Sequence, residues 1–108
     1  MTNKYDNFII YKIYQEGRED MVYIGSTTNF NQRKFSHKKN STTKRSKKYN
    51  IKLYKYIRSM GGWDTFKMEI IETNNFSCKG DGLKRESELI EEYGAKLNSI
   101  KPIKIIIV

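Results

Sequence analysis

The sequence predicts a small α+β domain: a three-stranded antiparallel sheet flanked by helices, in the order β-β-α-α-β-α. Three observations support this. Two dense β-branched and aromatic runs near the N-terminus are separated by one polar turn. Three later stretches have helical spacing. Between the second and third of them, a short segment alternates apolar with polar residues.

The first run is Phe8-Ile9-Ile10-Tyr11-Lys12-Ile13-Tyr14, read as a strand. Gln15 to Asp20 is polar, holds Gly17, and makes the turn. Met21-Val22-Tyr23-Ile24 completes an antiparallel hairpin and is expected to stop at Gly25. Ser26-Thr27-Thr28-Asn29 offers several N-cap side chains for a helix from Asn29 or Phe30 to about Lys38. On that helix Arg33 and His37 lie one turn apart on one face.

Lys39 to Lys48 has no apolar residue and reads as a basic loop. Helical spacing returns at Ile51, Leu53, Tyr54, Ile57 and Met60 and ends at Gly61-Gly62. Thr65 to Glu72 alternates, with Phe66, Met68 and Ile70 on one side, and forms the third strand. Asp81 is the expected N-cap of a last helix running to about Tyr93, with Gly94 beyond it. Its apolar stripe is Leu83, Ile90 and Tyr93, and Glu86 falls on that stripe. Pro102 and the remainder of the tail from Leu97 give little to place, and no internal repeat appears.

One hundred and eight residues fit a single domain, 1–108, with its core at about 8–98. A chain this long hides roughly two thirds of its unfolded surface, enough for one modest core. Aromatics at 13%, with eight tyrosines, argue for packing rather than disorder. Twenty-one Lys and Arg against twelve Asp and Glu give a net charge of +9. Such a surplus draws polyanions, nucleic acid or an anionic membrane face, although a solvated lysine surface gives the same count.

Cys78 is the only cysteine, which excludes an internal disulfide. With His37 as the only histidine, a zinc finger is excluded too. Carboxylates and water must then hold any metal, which points to magnesium or manganese. The N-terminus has no apolar signal region. The run Ile103 to Val108 is too short to span a bilayer. The expectation is an intracellular protein, in a cytosolic, nuclear or viral setting alike, with no membrane partner, no small-molecule cofactor and a monomeric state.

Three features could carry chemistry. Glu86 on an apolar stripe is costly unless paired or metal-bound, and a salt bridge to Arg85 or Lys101 is the plain alternative. Arg33 with His37 can grip a phosphate and move a proton, although such a pair is common on solvated faces. Tyr11 and Tyr23 sit on adjacent strands, where tyrosine is normally core filler. The other six tyrosines are assigned to core or surface.

Taken together in order, Ile9-Ile10-Tyr11, Val22-Tyr23-Ile24-Gly25-Ser26, Arg33, His37 and Glu86 resemble the GIY-YIG nuclease family. The YIG element is intact at Tyr23-Ile24-Gly25. The GIY element stands as IIY, with Ile9 where the family usually has glycine, a backbone feature that bears no reacting group. The resemblance runs from about Phe8 to Asn98 and includes Trp63-Asp64-Thr65-Phe66 and Leu97-Asn98.

It implies a metal-dependent DNA endonuclease. Glu86 would be the protein ligand of one Mg²⁺ or Mn²⁺. Arg33 would stabilise phosphate charge, and Tyr11 would act as general base or relay for the attacking water. Tyr23 would hold Tyr11, water or phosphate. His37 would bond the phosphate or exchange a proton with a tyrosine. Ser26, Lys48 and Asn98 are expected to bind substrate. The competing reading is a non-catalytic basic nucleic-acid-binding module, and a third is a basic structural protein. A pure binder has no need of a carboxylate on an apolar face.

Overall fold

The computed structural model describes residues 7–98. The elements are β1 (Phe8–Tyr14), β2 (Tyr23–Thr27), α1 (Phe30–Thr42), α2 (Lys52–Ser59), a 3-10 turn at Trp63–Thr65, β3 (Lys67–Asn74) and α3 (Lys79–Tyr93). The order β-β-α-α-β-α and the three-stranded antiparallel sheet are as expected, with β1 central between β2 and β3.

Being central, β1 is covered on both faces, so its residues alternate between two cores rather than between core and water. Phe8, Ile10 and Tyr14 pack with Val22, Ile24, Leu89 and Ile90 under α3. Tyr11 and Ile13 pack on the other side with Leu53, Tyr54, Ile57 and Met68. A fully buried isoleucine here contributes roughly 2 kcal/mol. Among the described residues no helix is long and apolar enough to cross a membrane.

Several boundaries differ from the expectation, each for a packing reason. β2 spans Tyr23–Thr27 rather than residues 21–24, and Gly25 lies inside it opposite Tyr11. A Cβ at Gly25 would fall on the Tyr11 Oη and Cζ and lie 2.9 Å from Tyr23 Cε1. The glycine makes room for a ring rather than ending the strand.

Of the four candidate N-caps it is Asn29 that caps α1, its side chain accepting from the Gln32 N–H. The helix runs on to Thr42, so only its remainder is loop. This helix buries only His37 and Ser41. A helix so polar leaves no apolar period by which to trace its last turn.

β3 starts two residues late, because Thr65 belongs to the 3-10 turn and Phe66 precedes the strand. Pairing with β1 slips at one point: Ile10 opposes Glu72 while Tyr11 opposes Ile70, leaving Ile71 extra. Such a bulge turns neighbouring side chains to one face. Ile71 and Glu72 both serve the α3 side, where Arg85 grips Glu72 at 2.6 and 3.0 Å. Ile70, on the same side of the strand as the buried Met68, is 50% exposed.

On α3 the N-cap is Cys78, and Asp81 sits in the first turn, accepting from the Ser77 hydroxyl. The buried line is Gly82, Glu86, Leu89 and Ile90, rotated from the expected stripe, and Tyr93 is 40% exposed. The rotation follows from Gly82, which lets α3 settle onto Phe8. A Cβ there would stand 2.6–2.9 Å from three Phe8 ring carbons. Gly82→Ala should cost a net ~1 kcal/mol, because overpacking outweighs the gain in helix propensity. Urea denaturation checks this, and an unchanged or raised midpoint would overturn it.

Candidate active site

Four elements contribute to the site. β1 contributes Tyr11, β2 contributes Tyr23 and Ser26, α1 contributes Arg33 and His37, and α3 contributes Glu86. Tyr11, Tyr23, Ser26, Arg33 and Glu86 line an open cleft of about 470 Å³ together with Phe8. Arg33 is exposed at its rim, with its guanidinium available to a phosphate. Glu86 is the sole carboxylate of the lining and only 8% exposed.

The salt-bridge alternative for Glu86 does not hold for Arg85, which pairs with Glu72 and Glu88. Lys101 lies outside the described residues. Burial pushes the Glu86 carboxyl up, while a hydrogen bond from Ser26 and the charge of Arg33 pull it back.

Behind the cleft stands a file of hydrogen-bonded rings. Tyr11 Oη lies 2.6 Å from His37 Nε2, and His37 Nδ1 lies 2.7 Å from Tyr54 Oη. The Tyr11 and Tyr23 rings lie side by side, 6.4 Å apart between centroids. His37, 3% exposed, also stacks near-parallel with Trp63 at 6.2 Å between centroids. Burial, then Arg33 and Lys48, bring the imidazole down to about 4, so it is neutral at physiological pH. Burial raises the Tyr11 phenol far above its ordinary range. Tyr23, half-buried, is pushed up to about 12, first by burial and then by Glu86.

A second cleft of about 610 Å³ adjoins the first and shares Arg33, Thr27 and Thr28 with it. His37, Asn40, Ser46, Lys48 and Tyr54 are among its lining, and no carboxylate is.

Of the residues singled out from the sequence, Tyr11, Tyr23, Ser26, Arg33 and Glu86 share the first cleft. His37 reaches it through Tyr11, and both ring nitrogens are engaged by tyrosines. Lys48 lies on the second cleft, next to Arg33. Asn98 lines neither. Its amide accepts from the Ile24 N–H at 2.9 Å and donates to the Ile24 carbonyl at 2.8 Å, bracing the outer edge of β2.

Tyr54 and Asn40 were missed. The available signal was a phenol on the apolar stripe of α2, because a buried tyrosine needs a partner for its hydroxyl.

A buried oxygen donor, an exposed guanidinium and a phenol pair in one cleft are groups that phosphate-ester hydrolysis can use. The chain belongs to the GIY-YIG family: the model of the GIY-YIG catalytic domain matches residues 7–99, nearly its whole length. It is therefore a nuclease. No curated protein and no solved structure matches the chain.

Proposed function

We propose that the domain is a DNA endonuclease that uses one divalent cation, Mg²⁺ or Mn²⁺, held by Glu86. The observation that supports this most is the carboxylate itself: buried, in a cleft with Arg33, and outside every ion pair among the described residues. No cluster of three metal-binding side chains exists among the described residues. A single carboxylate beside open space fits a hard cation that keeps most of its waters and takes phosphate oxygens. Bound there, the cation supplies Lewis-acid stabilisation of the leaving 3′ oxygen.

The remaining work falls to the chain. Arg33 forks onto the scissile phosphate and stabilises the charge that grows on it during in-line attack. One member of the pair of phenols, as its phenolate, takes the proton of the attacking water and becomes the neutral phenol. Tyr11 is fully buried, which suits it to the relay, and Tyr23 presents its phenol to the cleft. Burial opposes the phenolate of both, and the charge of Arg33 offsets part of that cost. Ser26 orients Glu86. Lys48 and the second cleft carry the flanking backbone, and Asn98 holds Tyr23 in place through Ile24.

The test is incubation of supercoiled plasmid with Mg²⁺ or Mn²⁺, and with EDTA. Nicking or linearisation that stops in EDTA is expected. Cleavage undiminished in EDTA would exclude the cation, and salt-sensitive DNA retardation without cleavage would favour a pure binding module.

A further inference from the structure

We propose that Tyr54 and Asn40 are positioning residues that fix the His37 proton on Nε2, so that the ring donates to Tyr11 and does not accept from it. The role of the phenol pair rests on the reading above; the assignment of the ring proton does not.

The polarity is set from the backbone of the basic loop. The Lys48 N–H donates to Ser46 Oγ at 3.2 Å. With that contact accepted, the Ser46 hydroxyl donates its own proton to Asn40 Oδ1 at 2.6 Å. The carbonyl end of the Asn40 amide is thus taken, which leaves its NH₂ end as the donor it can offer Tyr54, with which it lines the second cleft. The Tyr54 oxygen accepts from Asn40 and has one proton left to give. Its other partner in this file is His37 Nδ1, at 2.7 Å. A neutral imidazole carries one N–H, and a donor at Nδ1 leaves it on Nε2, against Tyr11 Oη at 2.6 Å.

The file then points toward the cleft: Ser46 to Asn40, Asn40 to Tyr54, Tyr54 to His37, His37 to Tyr11. Aligned donors reinforce one another in a low-dielectric interior. Negative charge on the Tyr11 oxygen is stabilised by this alignment. In the balanced step, the proton of the attacking water passes to a phenolate of the pair, and His37 keeps its own. The opposite polarity would make His37 the proton acceptor, and the loop opposes it.

The loop is held in place to do this. Arg58 donates from Nη1 to the Ser41 carbonyl at 3.0 Å and from Nη2 to the Tyr49 carbonyl at 2.7 Å. Its guanidinium also lies 3.5 Å above the Tyr49 ring centroid.

His37 is the single histidine, so long-range ¹H–¹⁵N correlation spectra of the labelled full chain report it without ambiguity. At mildly alkaline pH, where the ring is neutral, the spectrum should show Nε2 protonated and Nδ1 bare. Asn40→Asp replaces the NH₂ donor with an acceptor. Tyr54 then donates to residue 40, accepts from His37, and the proton should move to Nδ1. Cleavage should fall by at least about tenfold, within the range ascribed to acid–base groups.

A parent protein protonated on Nδ1 overturns the inference, and so does an Asn40→Asp protein that keeps the proton on Nε2. If that variant does not fold, the parent spectrum alone decides. Absence of metal-dependent cleavage by the parent would remove the nuclease mechanism and leave the ring assignment standing.

Discussion

Glu86→Ala is expected to lower plasmid cleavage by about a thousandfold or more while leaving DNA retention in a gel shift within about twofold. The size follows from losing several kcal/mol of Lewis-acid stabilisation, at about 1.36 kcal/mol per tenfold. Retention survives because the lysines and arginines that supply the +9 charge are untouched. Cleavage at the parent rate would remove Glu86 from the chemistry.

The same carboxylate makes a separable prediction about stability. Burial holds its folded-state pKa above the unfolded value, so the folded protein binds this proton more readily. Stability then falls as pH rises from the unfolded carboxyl range through the folded one. Above that window the buried charge is a standing cost. Glu86→Gln, measured in EDTA, should therefore melt above the parent at neutral pH while cutting no DNA. A lower melting temperature would show that the carboxylate has a stabilising partner.

Arg33→Ala is expected to lower cleavage roughly a hundred- to a thousandfold, the usual loss when one oriented donor to a developing oxyanion is removed. Arg33→Lys should restore only a small part, because an ammonium cannot fork onto a phosphate. The histidine supplies a second readout. Burial contributes most to holding His37 down at about 4, and Arg33 contributes next. Its NMR titration midpoint should move upward in the alanine variant. Cleavage within about tenfold of the parent would place the guanidinium away from the phosphate.

Much of this was legible in the sequence. β1 has the bounds that its composition indicated, because a run of Phe, Ile and Tyr has no competing structure. Tyr11, Tyr23, Ser26, Arg33 and Glu86, which the family resemblance singled out, share one cleft.

What was not legible depended on partners distant in the chain. Gly25 looks like a stop until Tyr11 is placed across from it. Ile70 continues the alternation of Phe66 and Met68, yet β3 is an edge strand and leaves it half exposed. Leu89 joins the core instead of Tyr93 because Gly82 sets how α3 rolls onto Phe8. Tyr54 looked like filler because its meaning lies in His37, seventeen residues earlier on another helix. Asn98 was expected at the substrate, but its amide is spent on Ile24.

The pairing of Tyr11 with Gly25 ties assembly to competence. A shift of one residue along β1 would set Ile24 or Ser26 across from Tyr11. The ring could then no longer lie over a bare backbone and reach His37. A folded chain with its first two strands misaligned is therefore silent, and correct alignment arms the cleft in the same event. In a refolding experiment the tyrosine–histidine contact and catalytic turnover should return together, with no compact, inactive hairpin between them.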